Sequence, residues 1–275
     1  MKFLRYGEPG AEKPGVLDTD GQIRDLSGVV PDLTGAILAA PPAFDIDSLP
    51  LVEGQPRLGI PVAGVGKMIC IGLNYSDHAA ESGMPIPEEP IVFMKATSAL
   101  IGPNDTVVLP RGSQKGDWEV ELGVVIGREA KYVSEAEALS HVAGYTIVND
   151  VSERHFQSER GGQWTKGKSC DTFGPVGPWV VTPDEVADPQ NLALSCDVNG
   201  QRRQTGSTAA MIFGVAHVIS YLSQMMRLEP GDIIATGTPP GVGMGMKPQQ
   251  FLKAGDVMEL SVQGLGTQRQ EVRAD

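Results

Sequence analysis

The sequence has little cysteine: Cys70, Cys170 and Cys196 are odd in number and show no C-x-x-C spacing. That excludes a disulfide framework and a cysteine zinc site, and it suits a reducing cytosol. Cys170 follows Lys168, and a lysine can lower a thiol pKa. No motif pairs it with a histidine, so it reads as a small buried residue and not as a nucleophile. Basic residues are also scarce, with Lys+Arg 22 against Asp+Glu 34 and a net charge of −12. There is no basic stripe of the kind a nucleic-acid binder carries; Arg202-Arg203 is the longest basic cluster and reads as a turn edge. The acidic balance speaks for solubility. No run approaches the ~18 apolar residues of a membrane span. Met1–Gly7 has no apolar signal-peptide core. The expectation is a cytoplasmic chain with neither a membrane nor a nucleic acid as partner.

What is present is enough apolar material, 41% of 275 residues, to bury a good core. Residues 1–60 read as a small β-rich N-terminal unit and connector. Within it, Phe3–Tyr6 is a strand and Pro14–Leu17 and Gln22–Leu26 form a hairpin around an Asp-Gly turn. Residues 61–275 read as the main domain, with many short strands punctuated by Gly and Pro. Strands are expected at Lys67–Leu73 and Pro90–Lys95, and a hairpin at Asn199-Gly200. One long helix is expected, capped by Ser207 or Thr208 and presenting Met211, Val215, Val218, Ile219 and Leu222 on one face. His217 on that helix reads as structural. With few alternating βαβ units, the fold class is α+β with a mixed or antiparallel sheet.

The most informative stretch is Asp117–Gly127. Strand side chains alternate faces, so Trp118, Val120 and Leu122 point one way while Glu119 and Glu121 point the other. A second apolar strand, Gly144–Asn149, ends at Asp150. If the two strand ends meet, three carboxylates converge. Oxygen-only ligands of that kind suit Mg²⁺ or Mn²⁺ with open positions, where a substrate carbonyl can be polarised. A lone Glu-x-Glu is ordinarily the wet face of a sheet. Against that, the strand continues as Val124-Val125-Ile126, apolar on both faces, and neighbouring glutamates repel unless screened. On these residues alone both readings stand.

Other residues suited to chemistry lie nearby in sequence. His78 and Glu81 are i and i+3 on a short helix between Gly72 and Gly83. A carboxylate holding one imidazole nitrogen leaves the other to take a proton from water, and the flanking glycines suit a movable lid. Such a pair is also common on plain surface helices. Lys166 and Lys168 lie on the Gly-containing loop Trp164–Pro175, where lysines are ordinarily solvated; near a metal and an anionic substrate, one of them would instead hold a carboxylate or a developing enolate. Lys95 ends an apolar strand and needs a partner there. The Gly-rich stretch Gly237–Gly245 lacks the P-loop pattern and carries two prolines. It reads as a turn whose N–H groups hold an anion.

Taken together, these segments resemble the fumarylacetoacetate hydrolase family. The matching residues are Gly72-Leu73-Asn74-Tyr75 with His78-x-x-Glu81, Phe93-Met94-Lys95, Asp117–Leu122, Asn149-Asp150, Lys168-Ser169-x-Asp171-Thr172-Phe173-Gly174-Pro175 and Gly231–Pro239, in the family's order. The resemblance implies a mixed β-roll, a homodimer or dimer of dimers, and Mg²⁺ or Mn²⁺ held by Glu119, Glu121 and Asp150. It implies His78 and Glu81 as a water-activating dyad and Lys168 beside the bound keto acid. Lys95, Asp171, Thr238, Gly237 and Tyr75 would contact the substrate. It further implies C3–C4 hydrolysis of a 2,4-diketo acid. Within the family, the whole chain, including Lys2–Tyr6 and the first hairpin, is most similar to the subgroup acting on 2,4-diketo-3-deoxy sugar acids from L-fucose or L-rhamnose, whose relatives are often labelled ureidoglycolate lyase. The alternatives are oxaloacetate decarboxylation, tautomerisation or isomerisation of unsaturated keto acids, ureidoglycolate cleavage, and non-catalytic keto-acid binding.

Overall fold

The computed structural model describes residues 1–77, 81 and 85–275. Strands dominate, as the sequence pattern predicts. The large sheet has ten strands. Across it run Ile23–Asp25, Lys13–Leu17, Lys2–Tyr6, Gly174–Val181, Val142–Asn149, Val120–Ile126, Ile233–Ala235, Met68–Gly72 and Ile91–Lys95, with Leu100–Ile101 pairing beside Gly174. Most neighbours are antiparallel, but Ile233–Ala235 runs parallel to Met68–Gly72, so the sheet is mixed. A five-stranded sheet runs Gln201–Ser207, Ala193–Val198, Val257–Val262, Gly266–Ala274, Val107–Leu109. Asn199 and Gly200, both at positive φ, make the tight turn of its hairpin.

The large sheet is covered on both faces, which explains the near-continuous apolar strands at its centre. Val120, Leu122, Val124 and Ile126 pack with Leu194, Cys196, Met258 and Leu260 of the second sheet and with the helix Val215–Met225. On the other face, Val125, Met68, Cys70 and Ile233 pack with Phe3, Val16, Leu26 and Leu33 from the N-terminal segment. Burying a Leu- or Phe-sized side chain contributes roughly 1.5–3 kcal/mol, so both clusters stabilise the central strands that carry the site. Among the described residues no helix is long and apolar enough to cross a membrane.

The long helix starts later than its apolar period predicts. Ser207 caps only a 3₁₀ turn, Thr208–Ala210, and the α-helix begins at Val215 after Gly214. The intervening backbone is spent elsewhere: Ile212 N–H donates to Asn74 O at 2.8 Å, and Phe213 N–H donates to Asn74 Oδ1 at 2.8 Å. Met211 bridges Tyr75 instead of standing on the helix. His217 is a surface residue that pairs with Glu135 and stacks between Phe213 and Tyr221, the structural role expected of it.

Candidate active site

The ends of Val120–Ile126 and Val142–Asn149 meet, as the alternation of side chains requires. Asp150 N–H donates to Glu119 O at 3.0 Å, and Glu119 N–H donates to Asn149 Oδ1 at 3.2 Å, so the pairing runs past the regular strands. Glu119, Glu121 and Asp150 are all buried, with one oxygen of each within 4.8 Å of the others.

Positive side chains surround this triad. Lys168 Nζ lies 2.7 Å from Glu119 Oε2 and 2.7 Å from Asp150 Oδ2. Lys95 Nζ donates to Asp150 Oδ1 and to Val151 O, which satisfies the partner its strand-end position demands. Arg154 Nη2 donates to Glu119 Oε1 at 2.6 Å while its Nε donates to Asp117 Oδ2 at 2.9 Å. Glu121 differs: among the described residues it accepts only the Gly237 N–H, at 2.8 Å. Burial, reinforced by Asp150 and Glu119, pushes its pKa well above the usual carboxylate range. For Lys168, burial pulls the pKa down, but Asp150 and Glu119 outweigh it and the net shift is upward, so it remains an ammonium.

The donor set fits a divalent cation. All three donors are carboxylates, as Mg²⁺ and Mn²⁺ prefer, and among the described residues no cationic side chain is hydrogen-bonded to Glu121. A cation beside Glu121 would offset the burial, and the repulsion from Asp150 and Glu119, that raise its pKa.

Lys168 reaches the triad from a short helix, Thr165–Lys168, packed against Arg154–Ser158. Gly167 allows that approach, since a Cβ there would lie 2.4 Å from Glu153 O. Between these helices and the sheet lies a cavity of about 200 Å³, lined by Leu73, Phe93, Glu119, Glu121, Arg154, Gln157, Trp164, Lys168, Thr238 and Met244, among others. Lys168 Nζ stands 5.0 Å above the Phe93 ring, and Phe93 meets Trp164 edge-on.

The Gly-rich loop does bind anions, and they are the protein's own. Besides Gly237 on Glu121, Gly241 N–H donates to both oxygens of Glu81, and Gly243 and Met244 N–H groups donate to Asp117. Thr238 lines the cavity from this loop. The Tyr75 hydroxyl is buried without a hydrogen-bond partner among the described residues; burial, then Glu121 and Asp77, raises its pKa. His78 lies outside the described residues. Asp171 is not brought to the site: it is exposed and borders a separate surface cavity with Arg111, Cys170 and Asp275. The turn after Cys170 carries it outward, and Thr172 there sits at positive φ.

Sequence reasoning missed Arg154, Gln157, Trp164 and Met244. The available signal for Arg154 was its place four residues after Asp150. Asp117 and Arg154 form a buried ion pair whose role is visible only once the strands are paired.

A family model described as the C-terminal domain of fumarylacetoacetate hydrolase matches residues 67–273. A protein from Sphingomonas sp. (strain SKA58) called 2,4-didehydro-3-deoxy-L-rhamnonate hydrolase is 65% identical, over 99% of this chain and 96% of its own. The fumarylacetoacetate hydrolase of psychrophilic Exiguobacterium antarcticum superposes with a TM-score of 0.90 at 36% identity, covering 100% of both chains. Maleylpyruvate hydrolase from Sphingobium sp. SYK-6, solved with manganese(II) and pyruvate, superposes with a TM-score of 0.80 at 30% identity, covering 100% of this chain and 99% of its own. By this match and by the arrangement of its fold, the chain belongs to the fumarylacetoacetate hydrolase family.

Proposed function

We propose that this chain is a divalent-metal-dependent hydrolase that cleaves the C3–C4 bond of 2,4-didehydro-3-deoxy-L-rhamnonate or the corresponding L-fuconate. Water is consumed, and pyruvate and L-lactate are the products. The observation that carries this reading is the buried carboxylate triad with Lys168 at the wall of a small cavity. The 65% identity to the Sphingomonas hydrolase supports the choice of substrate.

Mg²⁺ or Mn²⁺ held by Glu119, Glu121 and Asp150 would supply Lewis-acid polarisation of the keto and carboxylate oxygens. The rest falls to the chain. The Lys168 ammonium is positioned to donate to the oxygen on which negative charge grows as the pyruvate fragment leaves, a service strongest in a buried site. Phe93, Trp164 and Leu73 form apolar walls that limit water access. Glu81, fixed by the Gly241 N–H, is the acceptor that orients a base, and we assign His78 as that base, taking a proton from the attacking water. Arg154 and Gln157 supply further donors to an oxygen-rich substrate. The free cysteines favour a reducing cytoplasm, and family membership favours a homodimer or dimer of dimers.

Turnover in ¹⁸O-labelled water tests the reaction type. Hydrolysis places one ¹⁸O in the lactate carboxylate. Carbon dioxide release from oxaloacetate, with no labelled lactate formed from the diketo acid, would move the assignment to decarboxylase or tautomerase chemistry. Turnover of ureidoglycolate alone would overturn the keto-acid reading.

A further inference from the structure

Strand Ile233–Ala235 pairs with Val125–Gly123, and Thr236 extends that contact by giving both its N–H and its hydroxyl to Leu122 O. At Gly237, with φ +99°, the chain turns away and spends its N–H on Glu121. Val120, between two of the proposed metal ligands, therefore has an N–H and a C=O on this edge with no strand opposite among the described residues. Orphaned backbone groups in a buried place must find partners.

Gln204 supplies them. It is fully buried on Gln201–Ser207, the edge strand of the other sheet. Its Oε1 accepts Val120 N–H at 2.9 Å; its Nε2 donates to Thr238 Oγ1 at 2.7 Å and to Pro239 O at 2.8 Å. Thr238 Oγ1 in turn donates to Val120 O at 2.9 Å, closing a ring. The carboxamide has one workable orientation. Turned over, its nitrogen would face the Val120 N–H and its oxygen would face the Pro239 carbonyl. The direction of every hydrogen in the ring follows. The Thr238 hydroxyl hydrogen is committed to Val120 O, so the hydroxyl has none left to donate to a ligand in the cavity.

We propose that Gln204 is a positioning residue of the active site. It stands in for the missing strand, holding the Glu119–Glu121 segment through Val120 and fixing the Gly237–Thr238 turn through Thr238 and Pro239. This inference rests on the metal-dependent reading above. It predicts two separable effects. Loss of the acceptor loosens the metal ligands, and partners of that kind typically contribute about 10–100-fold in metal affinity. Loss of the donor frees the Thr238 turn and acts on substrate binding.

The test measures Mn²⁺ affinity by calorimetry and KM for the diketo acid across pH 6–9, for the wild type, Gln204→Met and Gln204→Glu. Gln204→Met is expected to weaken Mn²⁺ binding about tenfold or more. Gln204→Glu keeps the acceptor in both protonation states but donates only as the neutral acid. Its Mn²⁺ affinity should stay near wild type at the pH values where the acid is neutral, while its KM rises with pH in a step the wild type lacks. Should Gln204→Met fail to fold, the pH step of Gln204→Glu decides. Wild-type Mn²⁺ affinity and KM in the variants, with only thermal stability lowered, would overturn the inference and leave the functional reading intact. A wild-type protein that binds no Mn²⁺ would overturn both.

Discussion

Lys168 Nζ lies 2.7 Å from Asp150 Oδ2, and both side chains are buried. The same ammonium also holds Glu119, so it ties together two of the three carboxylates assigned to the metal. Removing one partner from a buried ionic cluster costs about 3–5 kcal/mol, because the remaining charges lose their compensation. Lys168→Met is therefore expected to lower the stability of the metal-free protein by that order. Mn²⁺ should then restore more stability to the variant than it adds to the wild type. Thermal unfolding with and without Mn²⁺ checks this; an equal Mn²⁺-induced rise in Tm for both proteins would count against it.

Cys170 offers a test with a defined pH dependence. Burial, opposed by Lys95, pushes its thiol up to about 11. The thiolate is the reactive form, and its fraction grows about tenfold per pH unit below the pKa. Alkylation by iodoacetamide should thus be slow at pH 8 and keep rising to about pH 11. Cys170→Ser should retain full activity. Rapid alkylation at pH 8 with parallel loss of turnover would restore the nucleophile reading that the sequence already disfavours.

Gly72 sits against the cavity wall. A Cβ there would lie 2.4 Å from Trp164 Cζ3, too close for the ring to stay. Gly72→Ala should displace Trp164, cost about 1–3 kcal/mol through overpacking, and disturb the Phe93 and Lys168 contacts behind it. The expected signs are a shifted tryptophan emission and reduced kcat. Wild-type emission and kcat would show that the wall yields without consequence.

Asp171 separates motif membership from position. It lies within a family-like segment, but its side chain is exposed beside another cavity. Asp171→Ala should leave KM within about twofold of wild type, since the side chain faces solvent away from the triad cavity, and should shift stability by no more than about 0.5 kcal/mol. A KM raised tenfold would return Asp171 to the substrate site.

The strands and the shared face of Glu119 and Glu121 were legible because period-two alternation is a local property that the sheet simply preserves, whereas the part of Asp150 was implied only by the family resemblance. Glu119 and Glu121 share a face for the same reason that Val120 and Leu122 share the opposite one. The onset of the long helix was not legible, because the backbone of Met211–Phe213 is claimed by Asn74 and Tyr75 from far away in sequence. Arg154 and Gln204 were missed on similar grounds. Each is an unremarkable polar residue until tertiary pairing puts Asp117 beside the first and Val120 beside the second. The anion-holding character of the Gly-rich loop was readable from its composition. That its anions are Glu81, Asp117 and Glu121 was not.

The most direct test of the central claim is product release from 2,4-didehydro-3-deoxy-L-rhamnonate by the wild type and Glu119→Gln, with Mn²⁺ and after chelation. Equal amounts of pyruvate and L-lactate are expected from the wild type with Mn²⁺. Both should be lost on chelation and in a Glu119→Gln protein whose circular dichroism is unchanged. Undiminished pyruvate release from the chelated enzyme or from that variant would rule out metal-dependent hydrolysis at this triad.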